Sequence, residues 1–235
     1  IVFCDDDNWL CETYISTAYH TLKQNPQIGA IGGKGEAVCI GSFPDWFEAD
    51  QIAYAVGAQG KSPGDVTARG YLYGAGLVTK KSLYQAMFDS FPSLLVGRTG
   101  EKMTSGEDTE YCLRLVLKGY KLYYNEDLRF KHFIEEKRIN IDYRDQLFQS
   151  FRDTDVILNK YFHAIKTTAN VKDFTRKYVW IMRSIFKYLF SIKKEKKQKA
   201  KNIFYLLSPY SSKKDPSINA IKEFINKTPT IISSS

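Results

Sequence analysis

The sequence predicts an α/β domain followed by a helical extension, and three observations carry this. Apolar runs of strand length alternate with stretches of helical period through about residue 133. The first of those runs, Ile1 to Cys4, leads straight into three adjacent carboxylates, Asp5, Asp6 and Asp7. Strand patterns then stop near residue 140, and the remainder is long and helical in pattern. The expected division is residues 1–140 as the α/β domain and 141–235 as the extension.

Taken in order, Ile1 and Phe3 would face one side of a strand, and Val2 and Cys4 the other. Apolar residues on both faces predict a strand buried on both sides, as in a parallel sheet covered by helices. A chain that opens inside such a strand reads as a fragment whose earlier strands lie upstream. Trp9 to about Lys23 has helical period, with Leu10, Tyr14, Ala18 and Leu22 on one face, and Asn25-Pro26 ends it. Ile28–Ile31 and Glu36–Ile40 read as short strands, and Pro44 as the start of a helix through Trp46, Phe47, Ile52 and Tyr54. Gly57 to Arg69, rich in Gly, Ser and Pro, reads as a mobile loop. Tyr71–Thr79 reads as a strand broken by Gly74 and Gly76, Lys80–Asp89 as a helix, and Phe91–Met103 as irregular. Ser105 starts a strong helix that ends at Gly119. A strand pair, Lys121–Tyr124 and Leu128–Phe133, completes the domain.

Composition narrows the function. The net charge is +8, but residues Lys166 to Lys201 hold 12 Lys or Arg against 2 Asp or Glu, which leaves −2 for the rest. A near-neutral front argues against nucleic-acid binding and confines the basic surface to one late stretch. The four cysteines, Cys4, Cys11, Cys39 and Cys112, lack C-x-x-C spacing and read as reduced thiols of a cytoplasmic protein. No apolar run is long enough to span a bilayer.

Four groups of residues could carry chemistry. Asp5, Asp6 and Asp7 lie at the carboxyl end of a strand, where α/β sheets bind ligands. Three adjacent carboxylates repel one another, so a cation is expected to offset them, and a hard divalent metal suits them. The plainer reading is an acidic turn with Asn8 capping the next helix. Ser105-Gly-Glu-Asp108 fits a capping box, with Glu107 and Asp108 complementing the helix dipole. Asp108 would equally serve as a general base held rigidly beside a cleft. His132 shares a face with Leu128, Phe130 and Ile134, which suits either a core histidine or a metal ligand. Tyr73-Gly74-Ala75-Gly76 allows close backbone approach to a ligand, or a bulge.

In this order the pieces resemble the family 2 glycosyltransferases of the GT-A fold, whose nucleotide-diphospho-sugar transferase domain is a mixed sheet flanked by helices. The resemblance spans about residues 1–140. It implies inverting transfer of a sugar from a nucleotide-diphosphate sugar, such as a UDP-sugar, to a hydroxyl of a glycan or lipid-linked acceptor. Asp5-Asp6-Asp7 is similar to the family's D-x-D element, with Asp7 and Asp5 on a Mn²⁺ or Mg²⁺ ion and Asp5 and Asp6 near the donor. His132 would lie by the metal or diphosphate. Asp108 corresponds to the base, with Glu107 beside it. Tyr73, Gly74, Ala75 and Gly76 would line the donor-sugar and acceptor cleft. The family's first strands, which hold the nucleotide base, would precede Asp5. The Gln-x-x-Arg-Trp signature of processive synthases is missing, which points to single-sugar transfer.

Beyond residue 140, Tyr178–Ile192 is aromatic and apolar, and the lysine-rich run Lys193–Lys201 follows. One reading is a helix lying on an anionic membrane surface, at the inner face of a membrane. The other is a helix packed on the domain with a solvated lysine face. Ser211–Ser235 reads as a polar, frayed end. A function of a different class fits the same features: a non-catalytic membrane-binding or scaffold module with a degenerate or truncated transferase domain.

Overall fold

In the computed structural model, residues 1–89, 91–95, 105–169 and 216–226 are described. They fall into two compact units, one within Ile1–Asp155 and the other within Val156–Thr228.

The first unit is α/β, built on a five-stranded mixed sheet with helices, an arrangement compatible with a GT-A-like domain. Its elements are β1 (Asn8–Leu10), α1 (Tyr14–Gln24), β2 (Ile28–Val38), α2 (Phe47–Asp50), β3 (Gly64–Asp65), β4 (Val78–Thr79), α3 (Lys81–Phe88), α4 (Glu107–Leu117) and β5 (Lys121–Phe133). The helix α5 (Ile141–Ala169) follows. Short 3₁₀ turns lie at Gln51–Tyr54, Thr67–Arg69 and Glu136–Arg138.

The central strand is β5. It pairs in parallel with β2 along most of its length. On its other side β3 covers Tyr123 and Tyr124, and β1 covers Phe130 to His132, both antiparallel. The expected strand pair is thus one 13-residue strand. It is irregular where the pairing steps from Gly32↔Tyr124 to Lys34↔Arg129. At that step the Leu128 carbonyl lies where a Cβ on Gly33 would be, so only glycine admits the bulge.

The sequence expectation fails at the first segment. Ile1–Phe3 is not a parallel strand buried on both faces. It runs antiparallel to residues 76–79, through Phe3 N–H to Leu77 O (2.9 Å), Gly76 N–H to Phe3 O (2.9 Å) and Thr79 N–H to Ile1 O (3.0 Å). Val2 packs on the core, its neighbours Ile1 and Cys4 are exposed, and Phe3 is half-buried. Asn8 is not a helix cap. It opens β1 opposite His132, and the helix starts only at Tyr14. Local period favoured the longer helix, but the open second half of β5 takes Asn8–Leu10 as its partner.

The helical face itself is as expected: Tyr14, Ala18 and Leu22 are buried against Ile28, Ile31, Leu128 and Phe130. The second cluster joins Phe47, Tyr54, Val56, Ile134 and Leu147. Residues 57–69, expected as a mobile loop, are held by the pairing of β3 with β5 and by one buried side chain. Gln59, 1 % exposed, donates to Gly33 O (2.8 Å) and accepts from Tyr73 N–H (2.7 Å). A polar composition hides such a bridge. Of the four thiols, only Cys112 is buried. In the second unit, α6 (Pro216–Asn226) replaces the frayed end expected there, with Ile221 and Phe224 buried and Lys160 donating to Ser217 Oγ (2.6 Å). Residues 178–201 lie outside the described residues. Among the described residues, no helix is long and apolar enough to cross a membrane.

A buried ion pair fixes α4 to the segment before it. Glu110 and Arg114 are fully buried and 2.7 Å apart. Glu110 accepts from Ser93 Oγ and the Leu94 and Leu95 amides, while Arg114 donates to the carbonyls of Met87, Phe91 and Pro92. Replacing one member strands the other's charge in the interior. Arg114→Met should therefore lower stability by about 3–5 kcal/mol, read from urea unfolding. A loss below about 1 kcal/mol would contradict this account.

Candidate active site

Two nodes form, one around Asp7 and one around Asp108. At the first, β5 alternation places Leu128, Phe130, His132 and Ile134 on a buried face. His132 Nδ1 lies 2.7 Å from the Tyr54 carbonyl, which can only accept, so Nδ1 carries the proton. In the neutral ring, Nε2 then presents a lone pair. That atom is 3.5 Å from Asp7 Oδ2. Two acceptors facing each other at this distance call for a shared cation or proton. Imidazole and carboxylate are suitable donors for Mn²⁺ or Mg²⁺, and such ions commonly take only one or two protein ligands and complete their shell on substrate phosphate. The pair fits that pattern. Among the described residues, no three His, Cys, Asp or Glu side chains form a closed metal cage.

The structure also supplies a cation of its own. Arg138 Nη1 donates to Asp7 Oδ2 at 2.9 Å, and Asn8 Nδ2 donates to Oδ1 at 2.8 Å. The Asp7 main chain is tied to β5 through Phe133 N–H to Asp7 O (2.8 Å). Asp5 and Asp6 are exposed and stand outside this cluster. Arg138, Tyr54 and Asn8 escaped sequence reasoning. Arg138 sits in Glu135-Glu-Lys-Arg138, which reads as a solvated charge run, and Tyr54 reads as core.

At the second node the capping box does not form. Gly106, in the left-handed region at φ 107°, occupies the N-cap position of α4, and Ser105 Oγ instead bonds Ser150 Oγ (2.8 Å). Asp108 is thereby free to turn toward residue 74. Its Oδ2 accepts from Gly74 N–H at 2.8 Å and its Oδ1 from Thr109 N–H at 2.7 Å. Burial raises the Asp108 pKa; the two amide bonds oppose this, and neighbouring Glu107 adds to it. A Cβ on Gly74 would meet the Asp108 carboxyl at 3.2 Å. Gly76, at φ 76°, turns the chain and offers its carbonyl to the Tyr14 hydroxyl (2.6 Å). Tyr73 and Ala75 are buried, with the Tyr73 hydroxyl on Val56 O (3.2 Å), so it is backbone at Gly74 that meets Asp108.

One strand pairing leads into both the acidic turn and residue 74. Pairing of Phe3 with Gly76–Leu77 is antiparallel. Two residues beyond Phe3 is Asp5, and two residues before Gly76 is Gly74. The acidic turn and the Asp108 anchor therefore leave the same pairing at the same end.

No protein-family model matches the chain. Over 155 residues it is 24 % identical to a glucosyl-dolichyl phosphate glucuronosyltransferase of Haloferax volcanii. The match takes in 64 % of this chain and 47 % of that protein, so the chain spans less than half the length of the curated relative. The similarity is to a glycosyltransferase.

Proposed function

We propose that the protein is an inverting glycosyltransferase of family 2 type, moving a single sugar from a nucleotide-diphosphate sugar, such as a UDP-sugar, to a hydroxyl of a lipid-linked acceptor. The observation that carries this reading is Asp108, a carboxylate with a raised pKa, tied to the Gly74 backbone at a helix start. A raised pKa makes a carboxylate a stronger base once ionised. Asp108 takes the proton of the acceptor hydroxyl. The acceptor oxygen forms its bond to the sugar's anomeric carbon as the bond to the diphosphate breaks, and the nucleoside diphosphate leaves with that electron pair. Entry and departure on opposite faces give inversion.

Asp7 and His132 would hold Mn²⁺ or Mg²⁺, with Asp5 near the metal or ribose and Asp6 near the donor. The ion's contribution is to stabilise charge on the leaving diphosphate. Glu107 flanks the base, and Tyr73 to Gly76 form the cleft floor. The relative is a glucosyl-dolichyl phosphate glucuronosyltransferase, which supports a lipid-linked acceptor here. The lysine-rich stretch 193–201 supports action at an anionic membrane surface, on its cytoplasmic side.

Three outcomes test this in the full-length protein. Asp108→Asn should abolish transfer, by roughly 10²-fold or more, while leaving the fold intact; near-normal turnover would remove the base assignment. The pH response follows from the raised pKa. The ionised carboxylate is disfavoured in the fold, so its cost appears as pH rises from the usual 3.8 through the raised folded value. Wild type should lose stability relative to Asp108→Asn across that window, while kcat/KM should rise through it as the base ionises. A rate limb at the ordinary aspartate value would contradict this. Gly74→Ala, whose methyl would press on the Asp108 carboxyl, should lower kcat roughly tenfold or more with little change in melting temperature.

A further inference from the structure

We propose that Arg138 is a donor-binding residue: it neutralises Asp7 in the free protein and transfers its guanidinium to the diphosphate when a nucleotide donor binds. The proposal rests on the glycosyltransferase reading above and extends it to a residue that neither composition nor resemblance singles out.

The argument is one of charge and geometry. Asp7 Oδ2 is the atom that faces His132 Nε2, and it is also the atom that Arg138 holds. An incoming divalent ion and Arg138 would compete for that oxygen. Whatever displaces the guanidinium leaves a cation beside the site with an anion to find. The donor brings one: a diphosphate with negative oxygens. The Asp7 carboxylate, with Asp5 and Asp6 next to it in the chain, would repel that diphosphate unless positive charge stood beside it. Arg138 is the guanidinium placed there.

Its mounting suits an exchange. The 3₁₀ turn Glu136–Arg138 is fixed at its end, where the Tyr54 hydroxyl donates to the Arg138 carbonyl (3.1 Å). Arg138 Nε donates to the Tyr143 hydroxyl at 3.0 Å, so the side chain keeps a pivot if Nη1 lets go. Nη2 has no hydrogen-bond partner among the described residues. The Arg138 and Asp7 side chains are 19 % and 22 % exposed, so the pair lies at the surface of the cluster where a ligand can reach it. A guanidinium fork with one nitrogen free and one exchangeable matches adjacent phosphate oxygens, which a lysine ammonium does not.

The test is calorimetric titration of full-length wild type, Arg138→Ala and Arg138→Lys with UDP, GDP and dTDP, and with the corresponding monophosphates, in Mn²⁺. Arg138→Ala should weaken binding of the preferred diphosphate roughly 10- to 100-fold and change binding of its monophosphate by less than about twofold. Arg138→Lys, which keeps charge but not the fork, should fall between. Thermal melts of each variant accompany the titrations. Diphosphate affinity unchanged in Arg138→Ala overturns the inference while leaving the transferase reading in place. Diphosphate and monophosphate affinities falling together with the melting temperature also overturn it, since that is the signature of a purely structural arginine. Wild type that binds none of the diphosphates overturns the transferase reading itself.

Discussion

Parallel pairing between β2 and β5 is the contact on which the rest of this domain depends. It leaves the other side of β5 to β3 near its start and β1 near its end. Parallel neighbours favour burial, which β2 meets over Ile28–Gly33 and β5 meets at Leu122, Tyr124, Leu128 and Phe130. The bulge at Gly33 then resets the phase of β5. From Leu128 onward its inward face carries His132 between Phe130 and Ile134. Because β1 closes on that same half, Asn8 stands opposite His132 and Asp7 follows it there. The position of the acidic turn is thus a by-product of strand register.

The two aspartates at the centre of the site sit in opposite environments. Asp7 has a guanidinium and an amide on its oxygens and an imidazole nearby. Asp108 has two backbone amides and the Thr109 hydroxyl on its oxygens and Glu107 beside it, and burial raises its pKa. One carboxylate already holds positive charge, and the other has its ionised form disfavoured by burial. Separating the two roles needs no unusual residue, only different neighbours.

Much of this was legible in the chain itself. The face of α1, the inward set Leu128 to Ile134, and the helix opened by Gly106-Glu107-Asp108 each follow from period and punctuation. The failures have a common cause, which is contact between segments distant in sequence. Nothing near Ile1 says that its partner is antiparallel and 78 residues away. Nothing in a Gly- and Ser-rich stretch says that Gln59 will bridge Gly33 and Tyr73. The capping box at Ser105 was a sound local expectation, defeated because Gly74 offers Asp108 an amide from 34 residues upstream.

Tyr54 holds both arms that reach Asp7, but by different means. Its backbone carbonyl orients His132, and its hydroxyl steadies the turn that ends in Arg138. The first hold is written in the main chain and persists whatever amino acid stands at 54. The second is written in a side chain and disappears with a single oxygen. Descendants of this sequence could therefore loosen or retune the arginine arm by one-step substitution at position 54, while the histidine arm stays beyond the reach of any such change. Here the part most open to evolutionary adjustment is the one that carries the guanidinium, and the part most sheltered from it is the one that sets the imidazole.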